Sequence, residues 1–161
     1  MKKPKTSNPT RRRVGPKGGL DYGILTGLLG YRLRRAQAVV FSHFLETVGK
    51  AGISPGQFGV LNLIKENEGL SQSALAKGFG IERSTMVAVI DGLQDRGWVK
   101  RVASKRDRRS YALSLTKAGR AFIERITPEV EAHEREIAAN LSGEEKDQLI
   151  AMLARIADGE G

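Results

Sequence analysis

Residues 71–116 constrain this chain more than any other stretch. They read SQSALAKGFGIERSTMVAVIDGLQDRGWVKRVASKRDRRSYALSLT. Ser71 is a good N-cap for a short helix carrying Leu75 and Ala76. Phe79, Gly80 and Ile81 make a tight turn, and a second helix is predicted over 82–96. Its apolar Met86, Val89, Ile90 and Leu93 share one face at helical spacing. The other face, with Ser84, Val87, Ala88 and Asp91, is small and nearly flat. Two short helices joined by a glycine-containing turn form a helix-turn-helix. A flat exposed face lets the second helix enter the major groove of DNA.

Gly97 is placed to stop that helix. Residues 98–102 and 111–115 read as two strands, with Tyr111, Leu113 and Leu115 alternating against Ala112 and Ser114. The loop between them, ASKRDRRS, is longer than the usual hairpin connection of about two to five residues. It carries Lys105, Arg106, Arg108 and Arg109 against one acid, Asp107. Alone, such a run is a solvated hairpin as readily as a binding element. Directly behind a helix pair it is predicted to be a wing that reaches phosphates and the minor groove.

In their order, the Ser71 helix, the Ser84-Thr85 helix, the Asp107-Arg108-Arg109 wing, the run Leu113-Ser114-Leu115-Thr116 and Gly119 resemble the MarR family of winged-helix transcriptional regulators. The resemblance runs from about residue 19 to the C-terminus, and its most specific part is Asp107-x-Arg109 ahead of a strand ending in Leu-Thr. The fold expected is mainly α with a small β-wing, dimerising through N- and C-terminal helices. Ser71, Ser73, Arg83, Ser84, Thr85, Val87, Ala88, Lys105, Arg106, Arg108 and Arg109 are the candidates for DNA contact, with Asp107 shaping the wing. The family's recognition helix often carries Thr and Arg where this chain has Val87 and Ala88. Base reading is therefore expected to lean on thymine methyl groups.

At 161 residues and 40% hydrophobic content the chain is the size of one domain with a core. Residues 1–19 are expected to be a disordered basic arm and 20–161 a single MarR-like domain. Within it, 54–116 form the DNA-binding lobe, and 20–50 and 117–161 the dimerisation helices. Having no cysteine, the chain has no disulfide, thiolate zinc site or thiol sensor. No run of apolar residues suits a membrane span, and the basic N-terminus lacks the apolar segment of a signal peptide, so a cytoplasmic location is expected. The net charge of +9 is unevenly spread. Residues 1–19 hold seven bases and no acid, whereas 121–161 hold four bases and ten acids. The arm is either a solubilising tail or an extra phosphate contact, and the acidic end should face away from DNA.

A long helix is predicted over 20–50, weakened early by Gly23, Gly27 and Gly30. Ser54-Pro55-Gly56-Gln57 starts another. Thr116 caps the next, which Pro128 should bend or interrupt, and Ser142 with Glu145 forms a capping box for the last. These helices expose more apolar stripe than so small a winged helix covers. A second copy of the chain is the natural cover, and the resemblance implies the same.

Nothing in the sequence suggests an enzyme, a metal or a cofactor. His43 and His133 lack metal-ligand spacing. His43 is expected inside or at a pocket edge, and His133, among Glu131, Glu134 and Glu136, at the surface. In the resembled family the effector lies between the dimer helices and the DNA-binding lobe. Here that region offers Tyr31, Arg34, Arg35, Phe41, His43, Phe44 and Phe58, aromatic surface beside positive charge. The run LGYRLRRAQ, residues 29–37, is similar to regulators of aromatic-acid catabolism that respond to aromatic acyl-CoA thioesters. A small aromatic acid or its CoA thioester is the expected effector; the alternative is core aromatics and solvated arginines. The leading function is a repressor binding a pseudo-palindromic double-stranded operator as a homodimer, with half-sites about 10 bp apart. Non-specific architectural DNA binding and a protein-interaction module are the competing readings.

Overall fold

The computed structural model describes residues 20–103 and 111–159. The chain divides into two units, Met1–Val39 and Val40–Gly161, whose boundary falls inside helix α1, Leu29–Glu46.

In the first unit the predicted helix over 20–50 does not run unbroken. Gly23–Gly27 form a 3-10 turn, in which Gly23 takes a positive φ of 49° and donates its N–H to Asp21 Oδ1 at 2.8 Å. Leu28 is extended, with φ −88° and ψ 127°, so α-helix begins only at Leu29. A second break falls in the other unit. Thr47 leaves helical geometry, and a 3-10 turn, Val48–Ala51, ends on Gly52 at φ 81°. Helical periodicity persists through both breaks, at which Leu28 and Thr47 leave helical geometry, and glycines at positive φ, Gly23 and Gly52, flank the two 3-10 turns.

The second unit holds α2 (Pro55–Glu66), α3 (Gln72–Phe79), α4 (Arg83–Asp95), β1 (Val99–Ala103), β2 (Tyr111–Leu115), α5 (Lys117–Ile137) and α6 (Gly143–Ala157). Four helix starts are capped as their sequences require. Ser54 and Ser142 form capping boxes with Gln57 and Glu145. Ser71 Oγ accepts from Ala74 N–H, and Thr116 Oγ1 from Gly119 N–H. The core joins Val60, Leu61 and Ile64 of α2 to Leu75 of α3, Met86, Ile90 and Leu93 of α4, and Ile123 and Ile126 of α5.

β1 and β2 pair antiparallel from Val99↔Leu115 to Ala103↔Tyr111. The chain before α3 adds to the free edge: Leu113 N–H donates to the Leu70 carbonyl at 2.9 Å, and Ser71 bridges Ala112. This third segment explains why Ala112 is buried against the expected alternation while Tyr111 is exposed.

The hairpin leads into α5 through a close contact. The Trp98 and Phe122 rings stack with centroids 3.8 Å apart. A Cβ on Gly119 would stand 2.1 Å from the Trp98 carbonyl oxygen, so only glycine fits there. Pro128 does not interrupt α5, which is helical from Lys117 to Ile137. Pro128 and Glu124 are both exposed, so the carbonyl that loses its helical partner can be solvated. No helix among the described residues is long and apolar enough to cross a membrane.

Candidate nucleic-acid interface

Helices α3 and α4 are set by their shared turn. Gly80 takes φ 67°, and Ile81 N–H donates to the Ala76 carbonyl at 3.1 Å. Glu82 is the extended N-cap of α4. Met86, Ile90 and Leu93 are fully buried, which turns Arg83, Ser84, Thr85, Val87 and Ala88 to solvent. Ser73 of α3 is also exposed, whereas Ser71 is half-buried by its capping role. These exposed positions of α4 carry one cation, two hydroxyls and two small apolar groups, with no aromatic ring to prevent close approach to a flat surface.

Behind this face lies a clamp that no local sequence pattern announces. Arg101 on β1 reaches back to α4, donating from Nη2 to Asp91 Oδ1 and from Nη1 to Gln94 Oε1, both at 2.5 Å. The two guanidinium nitrogens tie the hairpin's first strand to the third and fourth turns of α4. Arg96 lies over the Trp98 ring, 5.1 Å from its centroid, and donates to the Gly52 carbonyl. The wing candidates Lys105, Arg106, Asp107, Arg108 and Arg109 lie outside the described residues, as does the arm at 1–19.

The effector candidates fall in both units. In the first, Tyr31 packs against Tyr22 with ring centroids 6.0 Å apart, and Arg34 and Arg35 are exposed. In the second, Phe41 is exposed, Phe44 belongs to the core, and Phe58 packs partly buried at 6.4 Å from Phe44.

His43 and His133 are brought together across 90 residues of sequence. Their Nδ1 atoms are 2.7 Å apart, and His43 Nε2 is 3.0 Å from Glu136 Oε2. With both rings neutral, His43 Nε2–H donates to the carboxylate, and His133 Nδ1–H donates to His43 Nδ1. His133 is therefore not the surface residue its acidic neighbours suggested; it is only 2% exposed, with the Phe44 ring against it edge-on. Burial holds its pKa below the ordinary value and outweighs the upward pull of Glu134; His43 adds to the lowering, and Glu136 opposes it. The signal was present in the periodicity, since Phe122, Ile126, Val130 and His133 recur on one helical face. Among the described residues no group of three or more His, Cys, Asp or Glu is arranged to hold a metal ion.

Comparison with known proteins supplies a second line of evidence. Residues 51–110 match the model of the MarR family. The chain is 38% identical over 138 residues to a putative transcriptional regulatory protein for the hcr operon of Thauera aromatica, covering 85% of this chain and 83% of that one. It is similar to the structure of the transcriptional repressor CouR bound to a 23-mer DNA duplex: TM-score 0.82, 42% identity, 87% of this chain and 99% of the other. The structure of CouR bound to p-coumaroyl-CoA aligns at TM-score 0.79 and 40% identity, over 86% and 97% of the two chains.

Proposed function

This chain belongs to the MarR family of winged-helix transcriptional regulators, and on that premise we propose that it is a homodimeric, ligand-released repressor working in the cytoplasm. The observation that carries the reading is the α4 surface from Arg83 to Ala88, solvent-facing and free of bulk, on a helix whose opposite face is core. CouR, similar in fold and sequence, is a repressor seen on a DNA duplex. Two such helices in one dimer would sit in successive major grooves of a pseudo-palindrome. Residues 54–116 act as the DNA-binding lobe, Arg108 and Arg109 extend contact to the backbone and minor groove, and the basic arm adds phosphate contacts. Residues 20–50 and 117–161 form the dimer; the exposed Leu149, Ile150, Met152, Leu153 and Ile156 of α6 support this assignment.

The effector is an aromatic acid or its CoA thioester. Support comes from the solvent-exposed guanidinium groups of Arg34 and Arg35 and from CouR, which binds p-coumaroyl-CoA. Selection of duplexes from a random-sequence pool by the full-length chain tests the DNA reading. A shared pseudo-palindromic motif is expected, and retention dependent only on duplex length refutes it. Challenge of the selected complex with aromatic acids and their CoA thioesters tests the effector. Release by at least one is expected, with Arg34→Ala or Arg35→Ala needing more ligand for the same release.

A further inference from the structure

The α4 surface limits which base features this chain can read. Between Arg83 and Arg96 the helix carries no lysine or arginine. Of the longer polar side chains farther along, Asp91 and Gln94 are both held by Arg101 at 2.5 Å. The window left is therefore Arg83 to Ala88, and within it, one turn beyond Arg83 and Ser84, stands Val87.

Val87 is 38% exposed. Between residues 46 and 140, the large apolar residues described as exposed are Val87, Val102 and Tyr111, and all three lie on the helix-turn-helix or its hairpin. Elsewhere in that span the described large apolar side chains are buried or half-buried. An isopropyl group open to solvent on the helix face that approaches DNA gains free energy if it meets an apolar group there. On the major-groove edges that counterpart is the C5 methyl group of thymine. Guanine and adenine offer only polar atoms to the groove, and cytosine an amino group.

We propose that Val87 is a specificity-determining residue that reads a thymine methyl group in each operator half-site. Ala88 lines the same contact, and Arg83 is the one cation of the window available to a guanine or a phosphate. This inference rests on the DNA-binding reading above. Asp91, neutralised by Arg101, presents no free carboxylate to the phosphates flanking that thymine.

The test uses the full-length chain and a duplex selected from a random-sequence pool. Each thymine of the selected site is replaced singly by deoxyuridine, which keeps the Watson–Crick pair and removes only the methyl group. At one thymine per half-site the wild-type chain should bind roughly fourfold more weakly, the equivalent of one buried methyl group. Val87→Ala should lose most of the preference for thymine over uracil, Ala88 keeping the remainder, while Val87→Thr, which keeps one methyl, should fall between Val87→Ala and the wild type. Indifference of the wild-type chain to uracil at every position overturns the inference, as does a uracil penalty that persists undiminished in Val87→Ala. In both cases sequence-specific binding itself survives. A wild-type chain that selects no sequence at all overturns this inference and the DNA-binding reading together.

Discussion

Helices α4 and α6 are both amphipathic, yet only α4 has its apolar face covered by its own chain. α4 buries Met86, Ile90 and Leu93 completely and exposes a small, mainly polar face. α6 has no buried residue, and Leu149, Ile150, Met152, Leu153 and Ile156 remain exposed. A stripe pattern alone shows that a helix has something to bury, not where its cover comes from. For α4 the cover is the core beneath the helix-turn-helix, which frees the opposite face for a polyanion. For α6 the cover is missing from the single chain, and contiguous exposed apolar surface of this kind marks a protein interface.

Core truncation should show the largest effect. Ile90→Ala removes a fully buried side chain from α4 and should lower folding stability by about 2–5 kcal/mol. Denaturant unfolding at fixed chain concentration measures this, and a loss under 1 kcal/mol would mean that the face is less tightly packed than its burial indicates. Met152→Asp on α6 is the counterpart. It should weaken self-association by roughly 2–3 kcal/mol, the scale of placing an unpaired charge in an apolar interface, with helical content retained. Sedimentation across a dilution series reads it. A wild-type chain that sediments as a monomer would break the comparison, because α6 would then be an exposed apolar helix without a partner.

Arg101→Ala comes next. It removes both bonds from the hairpin to α4 and should cost about 1–2 kcal/mol of operator affinity through lost positioning, while self-association stays as it was. Gel shifts on a selected duplex measure the first and sedimentation the second. Equal affinity for variant and wild type would show that the hairpin holds its place without the clamp.

The smallest effect concerns acid. His133 is buried with a pKa below the ordinary value near 6.5, so the unfolded chain binds this proton more readily than the folded one. Its contribution to stability is therefore complete above pH 6.5 and falls as pH drops from there toward the lowered folded value. For one proton the slope is at most about 1.4 kcal/mol per pH unit. Thermal unfolding from pH 7.5 to 5 should show the decline, and His133→Phe should flatten it. A decline of equal slope in that variant would assign the acid sensitivity to other groups.

Much of this was legible because it is local. A cap acts over three residues, so Ser54, Ser71, Thr116 and Ser142 announce their helices directly. The helix-turn-helix, the two strands and the apolar face of α4 follow from spacing within one or two turns. The family resemblance lay in the same short segments. The breaks in the first predicted helix were less legible, because the apolar repeat continues across Leu28 and Thr47 while the backbone does not.

Tertiary structure alone decided the rest. Arg101 meets Asp91 because the chain reverses at Gly97, which brings β1 back along α4. The periodicity of α5 places His133 on the apolar face, but that His43 meets it there, 90 residues away in sequence, is a tertiary outcome. Gly119 is required by a carbonyl from Trp98, which no local pattern places there. Local sequence sets backbone preference and amphipathic period. Which polar groups meet, and which apolar faces stay open, depends on chain segments that approach only once the core has formed.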